Sequence, residues 1–409
     1  MNTTNRKNIL ILSFTLVVVM LGYGMVIPIM PFYIEELGAG GTELGLLVAS
    51  YALMRLIFAP VWGNLSDRFG RKPILTIGVF GYAIAMLLFG LSTELWMLFA
   101  ARILSGVLSS ATGPTTLAYV SDSTSEEERG GGMGMLGGAL GLGMILGPGL
   151  GGWLGGDSIA TPFFLAAGLS MLSVLLILFL LPESLPPGER QKSSGKITIL
   201  NTRELQQGLM SPIGIMLLLA FLVAAGLTIF YGVFGLYALE RFNYGPEEVG
   251  YILMVIGLVS AVGQGALAGP FTKRFGYAAV IKGALLASVI GFGLMLLAND
   301  FITVLLTTGF FILATALMTP AITALTSKRA TGQQGMAMGL TNSSMSLGRI
   351  VGPLWGGIAF DINYLLPYLS GAVVMFLTFF VSLIWLPKEG EEVQAKAATP
   401  PAGVEHKYQ

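Results

Sequence analysis

The segment Gly143–Gly152, GMILGPGLGG, decides the fold because it occurs twice: Gly348–Gly357 reads GRIVGPLWGG. The copies share the pattern Gly-x-x-x-Gly-Pro-x-x-Gly-Gly at an offset of 205 residues. Each lies in an apolar run long enough to span a bilayer. Small residues at this spacing let helix backbones approach closely in a membrane, and proline bends a helix. The repetition predicts two copies of one helical unit.

Three further pairs of segments follow the same order, at the same offset or within one residue of it: Leu181-Pro182-Glu183 with Leu386-Pro387-Lys388, Glu35 with Glu240, and GNLSDRFG at 63–70 with GPFTKRFG at 269–276. Two parallel repeats imply a solute site between them near the membrane midplane, reached by rocking one half against the other. A repeat kept only for packing, in a receptor or scaffold, is the alternative.

The composition is that of a membrane protein. Hydrophobic residues make up 54% of the 409 residues, charged residues make up 11%, and the mean hydropathy is +0.78. A soluble domain carries about 25% charged residues. The net charge of zero gives no argument for nucleic acid, and the absence of cysteine with a single histidine, His406, argues against disulfides and metal sites.

No cofactor is expected, and no catalytic set is evident. The sequence has no Gly-x-x-x-x-Gly-Lys-[Ser/Thr] loop, so ATP is not used directly. A membrane enzyme would need convergent acids, histidines or metal ligands inside the spans, and the sequence offers none. The chain is therefore not expected to be an enzyme.

Twelve apolar runs reach spanning length and predict twelve helices near 9–33, 43–62, 73–92, 95–119, 132–154, 160–181, 211–238, 247–270, 278–298, 301–325, 335–359 and 364–386. We expect an all-α membrane protein with a six-helix bundle at 1–181, a cytoplasmic linker at 182–210, a second six-helix bundle at 211–387 and a disordered tail at 388–409.

Basic residues indicate the orientation. Of the 22 Lys and Arg, 17 fall in the termini and alternate loops, Arg241 alone falls on the opposite side, and four fall within spans. Because cytoplasmic loops carry the excess of Lys and Arg, both termini are expected in the cytoplasm. A multi-pass monomer in the cell membrane is predicted, with lipid around it.

The loop between spans 2 and 3 reads Gly63-x-Leu65-x-Asp67-Arg68-x-Gly70-Arg71-Lys72. It resembles the signature loop of the major facilitator superfamily, in which this cluster locks the two halves together in the outward-open state. The resemblance implies a conformational latch made of Gly63, Asp67, Arg68, Gly70, Arg71 and Lys72, with Asp122 and Arg129 as partners. The alternative is a solvated basic loop. Lys273 replaces Asp67 in the second copy, so that latch is expected to be degenerate.

Span 5 resembles the antiporter signature of the twelve-span drug:proton exporters of that superfamily, on Gly143, Gly147, Pro148, Gly151 and Gly152. Gly22-Tyr23-Gly24 followed by Pro28-x-x-Pro31 is similar to the first helix of tetracycline and multidrug exporters. The resemblance implies the fold of twelve helices in two pseudo-symmetric bundles. Generic helix packing is the alternative reading of the span 5 motif.

Arg102-x-x-x-Gly106 in span 4 resembles a third family element, an arginine associated with proton transfer. Its alternative role is structural pairing with a helix carbonyl. A proton-coupled exporter of cations usually keeps a carboxylate inside the membrane, yet no Asp or Glu falls at the midplane, and Val19 occupies the region where tetracycline exporters carry an aspartate. Either Glu35 or Glu36 titrates at the cavity mouth, helped by Arg102, or the solute is anionic or neutral.

Candidate substrate contacts are polar or aromatic residues within the spans: Tyr23, Tyr231, Phe234, Tyr237, Gln264, Asn342 and Arg349. Arg349 lies near the midplane and corresponds to Met144 in the first half, so it breaks the symmetry. We expect a secondary transporter that exports small amphipathic compounds in exchange for protons. An organic-anion exporter or facilitator using the intramembrane arginines, and a non-transporting receptor or scaffold, are the alternatives.

Overall fold

The computed structural model describes residues 3–190, 202–211, 213–330 and 334–386. Within these ranges the regular structure is helical, in the order α1 (Thr3–Glu36), α2 (Gly41–Phe69), α3 (Arg71–Gly90), α4 (Leu95–Ser109), α5 (Thr112–Ser123), α6 (Glu126–Asp157), α7 (Thr161–Leu180), α8 (Thr202–Leu209), α9 (Gly214–Phe242), α10 (Pro246–Val262), α11 (Ala268–Phe275), α12 (Tyr277–Leu297), α13 (Phe301–Arg329), α14 (Gln334–Ile362) and α15 (Leu366–Trp385).

In the described part of the chain, eleven helical stretches are long and apolar enough to cross a membrane, with α4–α5 and α10–α11 each counted as one. α14 is not among these eleven stretches, although it is as long as α2, at 29 residues. We count α14 as the twelfth span because it packs lengthwise against α9 and α2. The chain is a multi-pass membrane protein, and the predicted all-α fold of two pseudo-symmetric six-helix bundles is confirmed.

Two predicted spans are interrupted rather than continuous. The span predicted at 95–119 breaks at Ser110 and Ala111 because Pro114 has no N–H to donate to the Ser110 carbonyl. The span predicted at 247–270 contains a π-helical turn, Gly263–Leu267, between α10 and α11. π-turns of this kind bend a helix locally.

The repeat is visible in the backbone. Gly70 between α2 and α3 has φ +102°, and Gly276 between α11 and α12 has φ +81°. Left-handed φ values of this kind favour glycine, which explains why both copies of the loop keep it. Of the predicted connecting segments, 182–210 contains α8, and the tail at 388–409 lies outside the described residues.

The glycines of the repeated motif bring each bundle's own helices together. A Cβ added to Gly147 would lie 2.6 Å from the Leu21 carbonyl oxygen of α1. One added to Gly352 would lie 2.5 Å from the Ala225 carbonyl oxygen of α9. Because real Cβ atoms do not approach so closely, only glycine allows α6 to pack on α1 and α14 on α9 at this separation.

The last glycine of each motif copy instead faces the other bundle. A Cβ on Gly152 would lie 2.3 Å from the Pro246 carbonyl oxygen at the start of α10. A Cβ on Gly357 would lie 2.1 Å from the Gly41 carbonyl oxygen at the start of α2. The motif therefore serves two contacts, one within a bundle and one between bundles.

These contacts between bundles lie at one end of the molecule, which we call the Asp361 end: α2 and α10 begin there, and α6 and α14 end there. At the opposite end, which we call the Gly70 end, α6 presents an open glycine face. Added Cβ atoms would meet nothing within 4 Å at Gly130, Gly131, Gly134, Gly137, Gly138 and Gly141. The bundles are closed at the Asp361 end and splayed at the Gly70 end.

We expect Gly152→Val to favour the conformation in which the Asp361 end is open. The side chain would overlap Pro246 and Gly250, and overpacking of this kind costs about 1–3 kcal/mol, which acts only on the closed state. The natural sequence has no cysteine, so spin labels at Thr93→Cys and Asn299→Cys report the distance across the Asp361 end. The distance distribution should shift to longer values.

Gly156→Val is the matched control because an added Cβ there meets nothing within 4 Å. It places the same side chain on the same helix one turn away. An unchanged distance distribution in Gly152→Val, or an equal shift in both variants, would contradict the assignment of Gly152 to the closed interface.

Candidate functional site

Arg71 is the centre of the charged cluster at the Gly70 end. Its Nε donates to Asp122 Oδ2 at 2.9 Å, and its Nη1 lies 2.5 Å from Asp67 Oδ1 and 2.7 Å from Ser66 Oγ. The guanidinium thus joins α2, α3 and α5 of the first bundle. In this conformation the two ion pairs of Arg71, the centre of the predicted latch, both lie within one bundle.

Glu183 belongs to this cluster and was not predicted. Its carboxylate accepts from the backbone N–H groups of Arg71, at 2.8 Å, and of Lys72, and so caps the first turn of α3. A carboxylate is favourable there because a helix N-terminus carries partial positive charge. The sequence held a signal, since Glu183 is replaced by Lys388 in the otherwise matching Leu-Pro-x repeat.

The side chains of the other predicted latch residues do not join the cluster around Arg71. Lys72 Nζ donates to the Leu178 carbonyl at 2.8 Å, and Arg129 Nη2 donates to the Ser121 carbonyl at 3.3 Å, so neither amine nor guanidinium reaches Asp122. Arg68 is half-buried, with no hydrogen-bond partner for its Nε. An added Cβ at Gly63 would meet nothing within 4 Å, so its face of α2 is open in this conformation.

Arg102 is buried in the first bundle without a carboxylate. Its side chain is 3% exposed, its Cζ lies 4.6 Å from the ring centroid of Tyr51 and 5.9 Å from that of Tyr23, and its Nε has no hydrogen-bond partner. Cation–π attraction over two tyrosine faces partly offsets the cost of a buried charge. The Tyr51 hydroxyl in turn lies 3.3 Å from Ser109 Oγ.

Arg55 and Arg349 extend this cluster to both bundles. Arg55 lies beside the Tyr51 hydroxyl on the same face of α2, four residues on, and within electrostatic range of Tyr23. Arg349 of α14 lies close enough to interact electrostatically with the Tyr23 hydroxyl and to be repelled by Arg55. Both arginines are exposed in the middle of membrane-length helices, and they interact with each other and with Tyr23 across the two bundles. These interactions place them at the space between the bundles, which we call the cavity.

The predicted substrate contacts divide into two groups. Tyr23 is half-buried beside this cluster, and half-buried Tyr231 lies within electrostatic range of Tyr23. Phe234 and Tyr237 were predicted to line the cavity, and this is wrong for the described conformation. They are 1% and 2% exposed in the core of the second bundle, where the Tyr237 hydroxyl accepts a hydrogen bond from Arg241.

Gln264 and Asn342 are exposed, and their side chains do not join the arginine cluster through any hydrogen bond in the described residues. Gln264 lies in the π-turn, where its Nε2 donates to Ser260 Oγ at 2.8 Å. The Asn342 carbonyl accepts from Ser346 Oγ within α14.

A separate cavity of about 600 Å³ opens between α13 and α14 near the Gly70 end, lined by Thr319, Pro320, Thr323, Ala324, Ser327, Gln334, Gly335 and Met338.

Glu35 and Glu36 lie at the end of α1, exposed, at the closed Asp361 end. Glu35 follows Tyr23 by about 18 Å along the helix, at 1.5 Å per residue. The structure therefore does not bring either carboxylate to Arg102.

Asp361 is a second candidate residue that the sequence analysis did not single out. Its Oδ1 accepts from the Gly41 N–H at 2.7 Å and its Oδ2 from the Thr42 N–H at 2.8 Å, and the Thr42 hydroxyl also donates to Oδ2. A carboxylate of the second bundle thus caps the N-terminus of α2 in the first. A signal was available, because Asp361 corresponds to Gly156 at the offset of 205, so the repeat carries this carboxylate on one side only.

The fold and this arrangement define a helical membrane transporter with a central cavity between two bundles. A model of the Major Facilitator Superfamily matches residues 12–266 and again 216–406. The chain belongs to the Major Facilitator Superfamily.

Two curated relatives match nearly end to end. Multidrug resistance protein 2 of Bacillus subtilis is 34% identical over 383 residues, covering 93% of this chain and 96% of the relative. Quinolone resistance protein NorA of Staphylococcus aureus is 29% identical over 382 residues, covering 91% and 96%. The nucleoside transporter NupG shares the fold with a TM-score of 0.75 at 15% identity, covering 94% of this chain and 98% of NupG.

We expect Asp361→Ala to weaken closure of the Asp361 end. The variant loses the cap of α2, and removal of an N-cap acceptor costs about 0.5–2 kcal/mol. Spin labels at Thr93→Cys and Asn299→Cys should show a larger population of long distances. Asp157→Ala, which removes an exposed carboxylate at the end of α6, is the matched control and should leave the distances unchanged.

Equal distance distributions in Asp361→Ala and the parent protein would show that the carboxylate does not contribute to closure.

Proposed function

We propose that this protein is a secondary active transporter that exports small amphipathic compounds across the cell membrane in exchange for protons. Membership of the superfamily and the names of the curated relatives support a drug-efflux role. The structural observation that carries the proposal is the one-sided closure: the bundles meet through Gly152 and Gly357 at one end and separate at the other. Alternating access requires a conformation of this kind and its mirror.

We infer that the Gly70 end faces the cytoplasm. Arg68, Arg71, Lys72, Arg129 and Arg190 gather there, and basic residues are retained on the cytoplasmic side. The described conformation is then inward-facing, with the cavity open to compounds in the cytoplasm and the Asp361 cap on the outer side.

The charged cluster at the Gly70 end supports a latch used in the opposite conformation. When the cytoplasmic end closes, α2 must approach the second bundle there, as it approaches α14 at the outer end now. Asp67 is about one-third exposed and bound only at one oxygen by Arg71, so it has capacity for a new partner. The open face at Gly63 provides the close approach, in the way that Gly41 and Gly45 do at the outer end.

The test is proton movement in proteoliposomes that hold a pH-sensitive dye, with cationic, neutral and anionic aromatic compounds added in turn. We expect a compound-dependent proton flux that depends on the reconstituted protein and disappears with Gly152→Val. Absence of both compound flux and proton flux for every charge class would favour the receptor or scaffold alternative. Compound flux without a proton signal would favour a facilitator.

Arg102 should contribute to coupling through its charge. An arginine guanidinium does not release its proton in a protein, so Arg102 acts as a fixed positive charge beside the rings of Tyr23 and Tyr51. We expect Arg102→Ala to lower proton-coupled flux by about tenfold, the effect of removing a desolvated cation–π contact, with a smaller change in compound binding. Flux and equilibrium binding are measured on the same preparation.

Arg6→Ala is the control for loss of one arginine, because Arg6 is exposed near the start of α1. If Arg102→Ala abolished binding while coupling of the residual flux survived, the assigned role would be wrong.

A further inference from the structure

Two arginines from different bundles face the same cavity at mid-membrane depth. Arg55 lies 14 residues from either end of α2, and Arg349 lies 15 and 13 residues from the ends of α14. Both are therefore about 20 Å from the helix ends, at 1.5 Å per residue. α2 and α14 pack together near the Asp361 end, through Gly45 and Pro353, and this contact brings the two charges within electrostatic range of each other.

No carboxylate compensates these charges in the described residues. Every Asp and Glu of the described membrane-length helices lies within the first or last three residues of its helix, and the rest lie in connections. Arg71 and Arg190, which do pair with carboxylates, lie at the Gly70 end. An arginine inside a membrane is costly without a partner, and two that repel each other are costlier.

The groups around the two arginines are hydrogen-bond donors and aromatic faces. Tyr51 lies between Arg55 and Arg102, and Tyr23 lies within electrostatic range of both cavity arginines. Tyr231 adds a third ring from the second bundle. A guanidinium carries five N–H donors in a planar fork that matches a carboxylate, so this set lacks only an anion.

We propose that the cavity binds amphipathic anions, with the anionic head group held between Arg55 and Arg349 and the aromatic body against Tyr23 and Tyr231. This inference rests on the proposed transport function and names the charge of its substrates. Each arginine comes from a different bundle, so the anion joins the bundles at mid-depth and neutralises the repulsion that the empty cavity carries. A lipophilic cation meets the same two charges and is repelled.

The test is equilibrium binding to the purified full-length protein in detergent, followed by probe fluorescence. The probe is dansylglycine, whose carboxylate is ionised at pH 7, and its neutral analogue is dansylglycinamide. Tetraphenylphosphonium serves as the lipophilic cation in competition with dansylglycine. We expect dansylglycine to bind more tightly than dansylglycinamide, and tetraphenylphosphonium to compete poorly.

Arg55→Gln and Arg349→Gln should each weaken dansylglycine binding by about tenfold or more, the usual effect of losing a hydrogen bond to a charged group, and leave dansylglycinamide binding unchanged. The thermal stability of the ligand-free protein should be unchanged or higher, because each substitution removes an uncompensated charge. Arg349→Lys keeps the charge without the planar fork and should lose less affinity than Arg349→Gln.

Lys282→Gln is the control for loss of an intramembrane cation, since Lys282 Nζ donates to the Leu386 carbonyl away from the cavity. It should leave dansylglycine binding unchanged. Equal affinities of the wild type for dansylglycine and dansylglycinamide, or unchanged dansylglycine binding in both arginine variants, would overturn the proposal.

The binding test and the transport test examine different hypotheses, so their negative results can be told apart. Proton-coupled flux of cations with no charge-selective binding would leave the exporter standing and remove the anion site. Charge-selective binding in a protein that moves no compound in proteoliposomes would leave the anion site standing and remove the transport function.

Discussion

The absence of a side chain at four positions determines the conformation. Gly152 and Gly250 let α6 meet α10, and Gly41 and Gly357 let α2 meet α14, in each case with backbone against backbone. Lipid tails are as apolar as leucine, so helices in a bilayer associate through close packing rather than through burial from water. The glycine contacts depend on shape alone, so the hydrogen bonds that the bundles exchange at this end on opening are those of the Asp361 cap on α2. Such an interface suits a protein whose two bundles must separate at this end in each cycle.

The motif that revealed the fold also defined this interface, which is why the fold was predictable. A repeat with an offset of 205 residues requires two equivalent bundles, and apolar run length gives the helix count. Which neighbouring helix each glycine contacts could not be predicted from the repeat. Gly151 and Gly152 are adjacent, yet one packs on α1 and the other on the opposite bundle, because neighbouring helix positions point about 100° apart.

The positions of the candidate site residues were predicted less well, for a related reason. Residue type and span identified Tyr23, Arg102 and Arg349, but polarity gave no way to separate Tyr231, at the cavity, from Tyr237, in the bundle core. Asp361 and Glu183 were passed over because their partners are backbone N–H groups of a distant helix start, and a sequence does not show which helix end lies opposite a carboxylate. In both cases the deviation from the repeat, Gly156 and Lys388, marked the position.

The positive charge of the cavity affects which gradient, the membrane potential or the pH gradient, can drive export. Exporting a monovalent anion in exchange for one proton moves two positive charges inward, and each charge gains about 2.3 kcal/mol per 100 mV of membrane potential. Exchange of a monovalent cation for one proton moves no net charge, so it depends on the pH gradient and on a carboxylate that both ions share. An arginine-lined cavity without such a carboxylate is therefore consistent with export driven mainly by the membrane potential. On this basis the missing midplane acid and the unpaired arginines have one explanation: the substrate itself supplies the negative charge that the helices lack.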